Sequence, residues 1–149
     1  MTILLERIKE DMKAAMKGGE KFRLGVIRLI LAAVKQVEVD ERIALDAERV
    51  IVVLDKMLKQ RRESIRQYRD AKREDLAEIE EAEIAVLLNY LPQPLTEAEI
   101  DAMVKAAVLE SGAASLKEMG KVMALLKSPM QGRADMSLVS AKIKAALPA

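Results

Sequence analysis

Apolar residues recur every three or four positions along most of the chain, the spacing that gathers them on one face of an α-helix. In the first half, this pattern predicts helices at about residues 3–17, 21–39 and 74–90, and a long third helix that begins after Asp46. The glycine pair at 18–19 ends the first helix. The third helix carries a near-heptad apolar line suited to packing on a neighbouring helix, formed by Val50, Val53, Leu54, Met57, Leu58, Ile65 and Tyr68.

The second predicted helix has an apolar side and a polar side. We expect Arg23, Lys35 and Glu38 to face water while the apolar stripe is buried. The fourth helix begins with Glu74 and Asp75, which favour the positive end of a helix dipole. The stripe of the second helix comprises Leu24, Ile27, Leu31 and Val34.

Two prolines mark the best candidate for a domain boundary. In the sequence LPQPLT, Pro92 and Pro94 lack backbone donors and favour extended backbone before them, so the fourth helix must end here. We therefore predict an N-terminal four-helix domain at residues 1–92, a proline-containing linker, and a small C-terminal three-helix domain within residues 93–149.

Helix starts in the C-terminal domain are marked by capping residues. Thr96 with Glu99, and Ser115 with Glu118, match the capping box, in which a hydroxyl and a carboxylate each accept a hydrogen bond from the other residue's amide. The pattern predicts that the helix after Thr96 ends near Gly112. Two of the three helices are thus predicted to start at a capping box.

Proline, aspartate and glycine locate the other boundaries. The second helix of this domain is predicted to end at 128–129, where proline follows serine, and Asp135 is predicted to cap the last helix. Gly120 interrupts a helical pattern at a cost of about 0.5 to 1 kcal/mol relative to alanine, which predicts a close helix crossing. Gly132 is expected to supply a positive φ in the loop before Asp135.

Composition agrees with an all-α fold. Hydrophobic residues make up 51% of the chain, mostly Ala, Leu, Ile, Val and nine Met, and the only aromatic residues are Phe22, Tyr68 and Tyr90. With 25 basic and 24 acidic residues the net charge is +1, so any attraction to a polyanion must be local. The absence of Cys and of long apolar segments leads us to expect a soluble, cytoplasmic protein without membrane contact.

The residues needed for several kinds of catalysis are missing. Without Cys or His, thiolate nucleophiles, His-based triads and Cys- or His-ligated metal sites are excluded. No phosphate-binding Gly-x-x-x-x-Gly-Lys loop is present, and no convincing base stands beside a serine in sequence, although a Ser–Lys pair assembled in three dimensions stays open. We read the acidic residues of the fourth helix as a solvated face paired with arginines of the third helix, and we expect no metal, no cofactor and no catalytic site. These acidic residues are Glu78, Glu80, Glu81 and Glu83.

A first basic group lies on the third helix. Its members are separated by three, four, three and four residues and so form one stripe on a helix, which could follow a phosphate backbone. The alternative is a solvated face interlaced with Glu63, Asp70, Glu74 and charges from neighbouring helices. We call this group the basic stripe: Lys59, Arg62, Arg66, Arg69 and Arg73.

A second basic group lies near the end of the chain. From residue 102 onward there are seven basic and three acidic residues, whereas residues 1–94 carry 18 of each. Lys117 and Lys121 are one helical turn apart and could face a polyanion together, although surface lysines often serve only solubility. We call this group the tail cations: Lys117, Lys121, Lys127, Arg133, Lys142 and Lys144.

Several segments resemble the YqeY-like family, the GatB/YqeY domain proteins, in the expected order and over essentially the whole chain. They read LLERIKEDMKAAMK, FRLGVIRLILAAVKQVEVD, KQRRES, EEAEIAVLLNYLP, KEMGKVMALLK and GRADMSLVSAKIKAAL. The family is similar to the C-terminal helical and tail regions of GatB, a subunit of the glutamine-dependent tRNA amidotransferase. Those regions are implicated in holding tRNA, while the catalytic chemistry resides elsewhere.

The resemblance implies an all-helical, tRNA-binding-like module with no active site of its own. Two positions depart from the family pattern. Glycine is common where this chain has Lys72, which places a break in the long helix in doubt, and Gln is common at Pro94, which should stiffen the hinge. The family motif falls on Lys59, Gln60, Arg61, Glu63, Ser64, Tyr90, Leu91, Pro92, Lys117, Gly120, Lys121, Met123, Asp135 and Val139.

Three functional hypotheses follow. The first is an accessory RNA-binding module, for tRNA, that contacts phosphates through the tail cations and the basic stripe by charge and shape. The second is a protein-interaction or assembly module that presents apolar or Met-rich grooves to a protein partner or a second copy. The third, an amidotransferase or amidase, follows only from the family label.

Overall fold

The computed structural model describes residues 3–148, and over that range it contains seven α-helices, one 3₁₀ turn and no β-strand. The predicted all-α fold class is confirmed. The elements are α1 (Ile3–Lys17), α2 (Lys21–Glu41), α3 (Ala47–Asp70), α4 (Glu74–Leu88), α5 (Glu97–Ser111), the 3₁₀ turn (Leu116–Glu118), α6 (Met119–Met130) and α7 (Met136–Ala146).

The helices group into two compact units, one ending at Leu91 and the next beginning at Pro92. The first unit contains α1 to α4 and the second contains α5 to α7. That each unit is an independently folding domain, with the boundary at 92/93, stays a prediction.

The core of the first unit is built from apolar faces whose spacing is visible in the sequence. Ile8 of α1, Ile27 and Ile30 of α2, Leu54 of α3 and Leu87 of α4 are fully buried. Most of the predicted α3 line is also buried, since it packs along α4 and toward α1 and α2. Its buried members are Val50, Leu54, Met57, Leu58 and Ile65.

Local polar contacts and left-handed residues set the helix ends in the first unit. The Asp46 carboxylate accepts a hydrogen bond from the Arg49 amide at 2.9 Å, which confirms the predicted cap of α3. The second helix runs two residues past its predicted end and stops at Arg42, whose φ is 57°. The fourth helix ends at Leu88, and the Tyr90 amide continues the chain as a turn by donating to the Leu87 carbonyl at 3.1 Å.

The long helix does break after Asp70, although Lys72 replaces the glycine common in the family. Lys72 takes a φ of 59°, the left-handed region. Its amide donates to the Arg69 carbonyl at 3.0 Å, and the Arg73 amide donates to the Tyr68 carbonyl at 2.8 Å. This pair of bonds is the Schellman ending of a helix, in which the left-handed residue is usually glycine.

The second unit has a core of its own, and one of its two predicted capping boxes forms. The Thr96 hydroxyl accepts from the Glu99 amide at 3.1 Å, and the Glu99 carboxylate accepts from the Thr96 amide at 3.2 Å. Gly112, with a φ of 69°, ends α5 as predicted. The core consists of Ile100, Val104, Ala107, Val122, Leu126, Met130, Val139, Ile143 and Leu147.

The predicted capping box at Ser115 and Glu118 is wrong. The chain there forms a 3₁₀ turn, and the Ser115 side chain makes no capping hydrogen bond. The Leu116 amide donates to the Pro148 carbonyl at 3.0 Å, and the Glu118 carboxylate lies 3.7 Å from Lys121 Nζ. The tighter turn therefore does not give Ser115 and Glu118 the reciprocal geometry of a helix start.

Two further expectations about α6 are wrong. The helix continues through Pro129 to Met130, because burial of the Met130 side chain in the core offsets the cost of proline in the last turn. Gly120 marks no close crossing, since an added Cβ would meet no heavy atom within 4 Å. The loop that follows agrees with prediction: Gly132 has a φ of 73°, and Asp135 caps α7 through the Ser137 amide at 3.0 Å.

Candidate functional site

The basic stripe is shorter than its sequence spacing predicts. Because α3 ends at Asp70, Arg73 lies beyond the turn, at the N-cap of α4, and the prediction of one continuous row over five residues is wrong at that end. Lys59, Arg62, Arg66 and Arg69 remain on α3.

Most members of the basic stripe hold carboxylates. Arg66 Nη2 donates to both Glu63 oxygens at 2.6 Å, and Arg73 donates to Asp75 through two bonds of 3.1 Å. Arg69 binds Glu74 at 3.1 Å and also binds Glu81. The guanidinium of Arg66 lowers the pKa of Glu63, and Arg73 lowers the pKa of Asp75 by the same kind of hydrogen bond.

The remaining members differ in their surroundings. Lys59 Nζ lies 3.3 Å from Asp55, whose carboxylate is buried in α3. Arg62 is exposed and, among the residues described, has no hydrogen bond or ion pair. Beside the stripe, Arg61 binds Glu83 of α4 at 2.9 Å. The stripe is therefore largely neutralised within the first unit, and a phosphate would have to displace carboxylates to bind most of it.

Two of the tail cations hold the second unit together. Arg133 Nε donates to the Gln93 carbonyl at 3.0 Å, and the Arg133 carbonyl accepts from the Leu95 amide at 2.8 Å, so the linker is fixed to the loop before α7. Lys142 of α7 binds Asp101 at 2.6 Å and Glu97 at 3.2 Å on α5. Hydrogen bonds to Asp101 and then Glu97 raise the pKa of Lys142.

The other tail cations are exposed to solvent. The side chains of Lys117, Lys127 and Lys144 have no ion pair or hydrogen bond to any residue in 3–148, and the side chain of Lys121 has one distant partner, Glu118, at 3.7 Å. They are not confined to one helix face: Lys121 and Lys127, six residues apart on α6, differ by about a third of a turn. Lys105 of α5 is exposed and unpaired among the same residues as well, so the second unit presents five accessible ammonium groups there.

The tyrosine of the family motif belongs to a polar cluster in the first unit. The Tyr90 hydroxyl donates to Asp11 at 2.6 Å, and Arg7 lies over its ring at 5.1 Å from the centroid. Arg7 also donates to the Asn89 carbonyl at 3.0 Å. Burial and then the Asp11 contact raise the pKa of Tyr90 to about 12. This cluster joins α1 to the end of α4 and offers no stacking surface.

Arg23 was predicted to face water, which is wrong in part. Its Nη atoms lie 3.7 Å from Asp11 and 3.8 Å from Glu20, while its Nε is buried and has no partner.

The family-motif positions near the end of the chain are mainly structural, since Val139 is in the core and Asp135 caps α7.

Sequence reasoning missed a second row of cations, on α2. Lys21, Arg28 and Lys35 lie on α2, and Arg42 is the left-handed residue that caps it. All four are exposed, and none of their side chains has a hydrogen bond or an ion pair within the described part of the chain. Their constant seven-residue spacing is the signal that could have found them, because positions seven apart lie on almost the same side of a helix.

Metal binding and membrane insertion can both be examined over the described part of the chain. Within residues 3–148, no group of three or more acidic side chains is placed to hold a metal ion. Over the same residues, no helix combines the length and apolar character needed to cross a bilayer. The hydroxyls of Ser64 and Ser111 donate to the backbone carbonyls of Gln60 and Val108.

Known proteins align with the chain over most of its length. A family model described as Yqey-like protein matches residues 5–147. The chain is 36% identical over 147 residues to "Altered inheritance of mitochondria protein 41, mitochondrial" of Pyrenophora tritici-repentis, covering 95% of this chain and 80% of the relative. It is 34% identical over 143 residues to the protein of the same name from Lachancea thermotolerans, covering 91% and 76%.

These relatives correct one expectation and establish another. Both are named as mitochondrial proteins, so the cytoplasmic location predicted from sequence is wrong, and the similarity points to mitochondria. The absence of Cys fits a reducing environment but does not distinguish one compartment from another. The family model covers nearly the whole chain, in agreement with the resemblance carried by the sequence motifs. The chain therefore belongs to the YqeY-like protein family.

Proposed function

We propose that this protein is an accessory RNA-binding module for tRNA, with no catalysis of its own, that contacts phosphates through its second unit. The observation that carries the proposal is the set of accessible ammonium groups there. Lys117, Lys127 and Lys144 have no partner within the described residues, and Lys121 has only a distant one. The family's similarity to the tail region of GatB supports tRNA as the polyanion.

The chemistry of the second unit favours binding by charge and shape. Residues 92–149 contain no Phe, Tyr or Trp, so the unit cannot stack aromatic rings on unpaired bases. Lysine contacts to phosphate carry no sequence information, and they release counterions from the RNA. We therefore expect affinity that depends steeply on salt and weakly on base sequence.

The basic stripe contributes less to this proposal than its charge count suggests. Exposed ion pairs are worth only about 0 to 1 kcal/mol each, so phosphate could replace the carboxylates. However, replacing a carboxylate by a phosphate at one of these arginines contributes to the binding free energy only the difference between the two charge-assisted contacts. Arg62, which is exposed and has no partner in residues 3–148, is the member of the stripe best placed to add a phosphate contact directly.

The test is tRNA affinity measured at several salt concentrations. A variant carrying Lys117→Gln, Lys121→Gln and Lys127→Gln should bind more weakly and lower the salt slope by about 2 to 3, since each lost contact removes about 0.7 to 0.9. The matched control carries Lys13→Gln, Lys17→Gln and Lys56→Gln on the first unit, which removes the same charge from exposed positions. It should retain the wild-type slope.

Two results would contradict the proposal. One is tRNA binding that does not change with salt or is absent. The other is an equal loss of affinity in the control, which would mean that total charge rather than the second unit governs binding.

A further inference from the structure

The solvent side of α2 carries an apolar stripe with the spacing of a coiled-coil seam. Seven exposed positions are separated alternately by three and four residues, and the last lies just beyond the helix. Phe22, Leu29, Val39 and Ile43 are 48%, 49%, 59% and 47% exposed, although each is large and apolar. The complete stripe is Phe22, Gly25, Leu29, Ala32, Gln36, Val39 and Ile43.

Gly25 is a residue that the described fold does not require. It lies inside α2 without a positive φ, and a Cβ added there would meet no heavy atom within 4 Å. Glycine weakens the interior of a helix, so a contact outside this unit is the physical use that remains for it. Gly25 and Ala32 lie seven residues apart on nearly the same side of α2, and residues this small leave room for the backbone of another helix to approach.

The free cations of α2 run along one flank of this stripe. Lys21, Arg28, Lys35 and Arg42 each precede a seam position by one residue. The first three are successively about 10 Å apart along the helix, and Arg42 follows at its end. They occupy the flanking positions that form interhelical ion pairs in coiled coils. We call the stripe and its cations together the α2 face.

The acidic groups near the α2 face are already engaged. Glu38 accepts from the Leu45 amide at 3.0 Å, and Glu41 binds Arg49. Asp40 accepts from Gln36 at 3.0 Å, and Glu83, which borders the groove at Phe22 and Leu29, binds Arg61 at 2.9 Å. The α2 face is therefore apolar along its centre and positively charged along one edge.

We propose that the α2 face docks an amphipathic helix of a partner protein, with apolar residues at heptad spacing and Glu or Asp on the flank that meets the basic row. Charge complementarity selects this occupant. In a second copy packed antiparallel on the same face, the basic rows would oppose each other. In a parallel pair they would meet Val26, Ala33 and Asp40, which supply one carboxylate.

A nucleic acid fits the α2 face less well than a protein helix. Phosphates would satisfy the four cations but would leave Phe22, Leu29, Val39 and Ile43 in contact with water or charge. An amphipathic helix buries the apolar stripe and pairs the cations at the same time, as in other helix-in-groove complexes. This surface is separate from the tail cations and does not depend on RNA binding by the second unit.

The test uses two synthetic helical peptides of about 21 residues, matched to α2 in length. Both carry Leu and Ala at the seam positions. One has Glu and the other has Lys at the flanking positions. With the full chain, the Glu peptide should bind at least about tenfold more tightly than the Lys peptide. Arg28→Glu with Lys35→Glu should abolish or reverse that preference.

A second variant separates docking from folding. Gly25→Gln should weaken binding of the Glu peptide by about tenfold or more by filling the close approach, while the thermal midpoint stays the same or rises, because the site is open in the free protein. The Lys117→Gln, Lys121→Gln, Lys127→Gln variant should bind the Glu peptide as the wild type does. Peptide docking on the α2 face and tRNA binding by the second unit can therefore succeed or fail separately.

Four outcomes would overturn the inference. The first is that neither peptide binds at about 1 mM, which corresponds to only about 4 kcal/mol of binding free energy, and the second is that both peptides bind equally. Self-association that Gly25→Gln abolishes would assign the face to a second copy. Loss of tRNA affinity in the Arg28→Glu, Lys35→Glu variant, as large as that from the tail substitutions, would make it a phosphate surface.

Discussion

At the scale of single residues, carboxylate partners decide which basic side chains are free. Arg69 is held by Glu74 and Glu81, which are 5 and 12 residues away in sequence and lie on α4. Helical spacing rules reveal partners three or four residues away, such as Glu63 and Arg66, but not partners on another helix. For this reason the sequence left neutralisation of the basic stripe as one of two alternatives without identifying Glu81 as the partner of Arg69, and the free row on α2 was overlooked.

Backbone conformation at Lys72 gives a first prediction. A left-handed conformation costs a non-glycine residue about 1 to 2 kcal/mol, whereas glycine adopts it freely at some entropic cost in the unfolded chain. Lys72→Gly should therefore raise the free energy of unfolding by about 0.5 to 1 kcal/mol, measured by urea denaturation. The neighbouring control is Ala71→Gly, at a residue with a φ of −85° that alanine adopts without strain. This control should lower the free energy of unfolding. Destabilisation by Lys72→Gly would contradict the strain argument.

Tyr90 gives a prediction about pH. Burial and Asp11 raise the pKa of Tyr90 from 10.0 to about 12, so between these values the folded protein keeps a proton that the unfolded chain releases. The contribution of this group is complete below pH 10 and falls by up to about 1.4 kcal/mol per pH unit up to pH 12. Tyr90→Phe should be less stable than the wild type at neutral pH by about 1 to 3 kcal/mol, since it loses the bond to Asp11.

The comparison of the two proteins isolates this effect from lysine titration. Chemical denaturation at pH 8, 10, 11 and 12 should show the stability difference between wild type and Tyr90→Phe shrinking across the window. A difference that stays constant from pH 10 to 12 would show that the tyrosine proton is not held by the fold.

At the scale of helices, periodicity predicted the elements well and their ends unevenly. The buried faces of α1 to α7 recur at three and four residues, which is a property of each helix by itself. Ends depend on contacts made elsewhere: Met130 keeps α6 helical past Pro129, and the Pro148 carbonyl engages the Leu116 amide where a capping box was expected. The sequence pattern at positions 115–130 does not show that Pro148, far along the chain, lies beside Leu116.

Removing the hydroxyl should affect stability at only one of the two predicted capping boxes. Thr96→Ala removes a hydroxyl that accepts from the Glu99 amide and should cost about 1 kcal/mol of stability in the second unit. Ser115→Ala removes a hydroxyl that makes no capping bond and should change stability by less than about 0.5 kcal/mol. Thermal denaturation of both variants measures this contrast. Equal losses would mean that the box at Ser115 forms in solution.

At the scale of the whole molecule, the sequence motifs were enough to identify the family, and the family model matches residues 5–147. The prolines at 92 and 94 lie at the point where the helices divide into two compact units. Function is harder to predict from sequence because the free charges of α2 and of the second unit are defined by the absence of partners among residues far away in the chain. The correction to the cytoplasmic prediction likewise rests on the names of relatives and on no pattern in the sequence.

Two matched core substitutions test whether the units fold independently. Ile30 and Ile143 are both fully buried, one in each core, so Ile30→Ala and Ile143→Ala should each cost about 2 to 5 kcal/mol in their own unit. If the units are separate domains, Ile143→Ala should lower amide hydrogen-exchange protection in α5 to α7 and leave α1 to α4 unchanged, with the reverse for Ile30→Ala. Loss of protection throughout the chain in either variant would show one cooperative unit, because independent cores do not share the free energy of a local cavity.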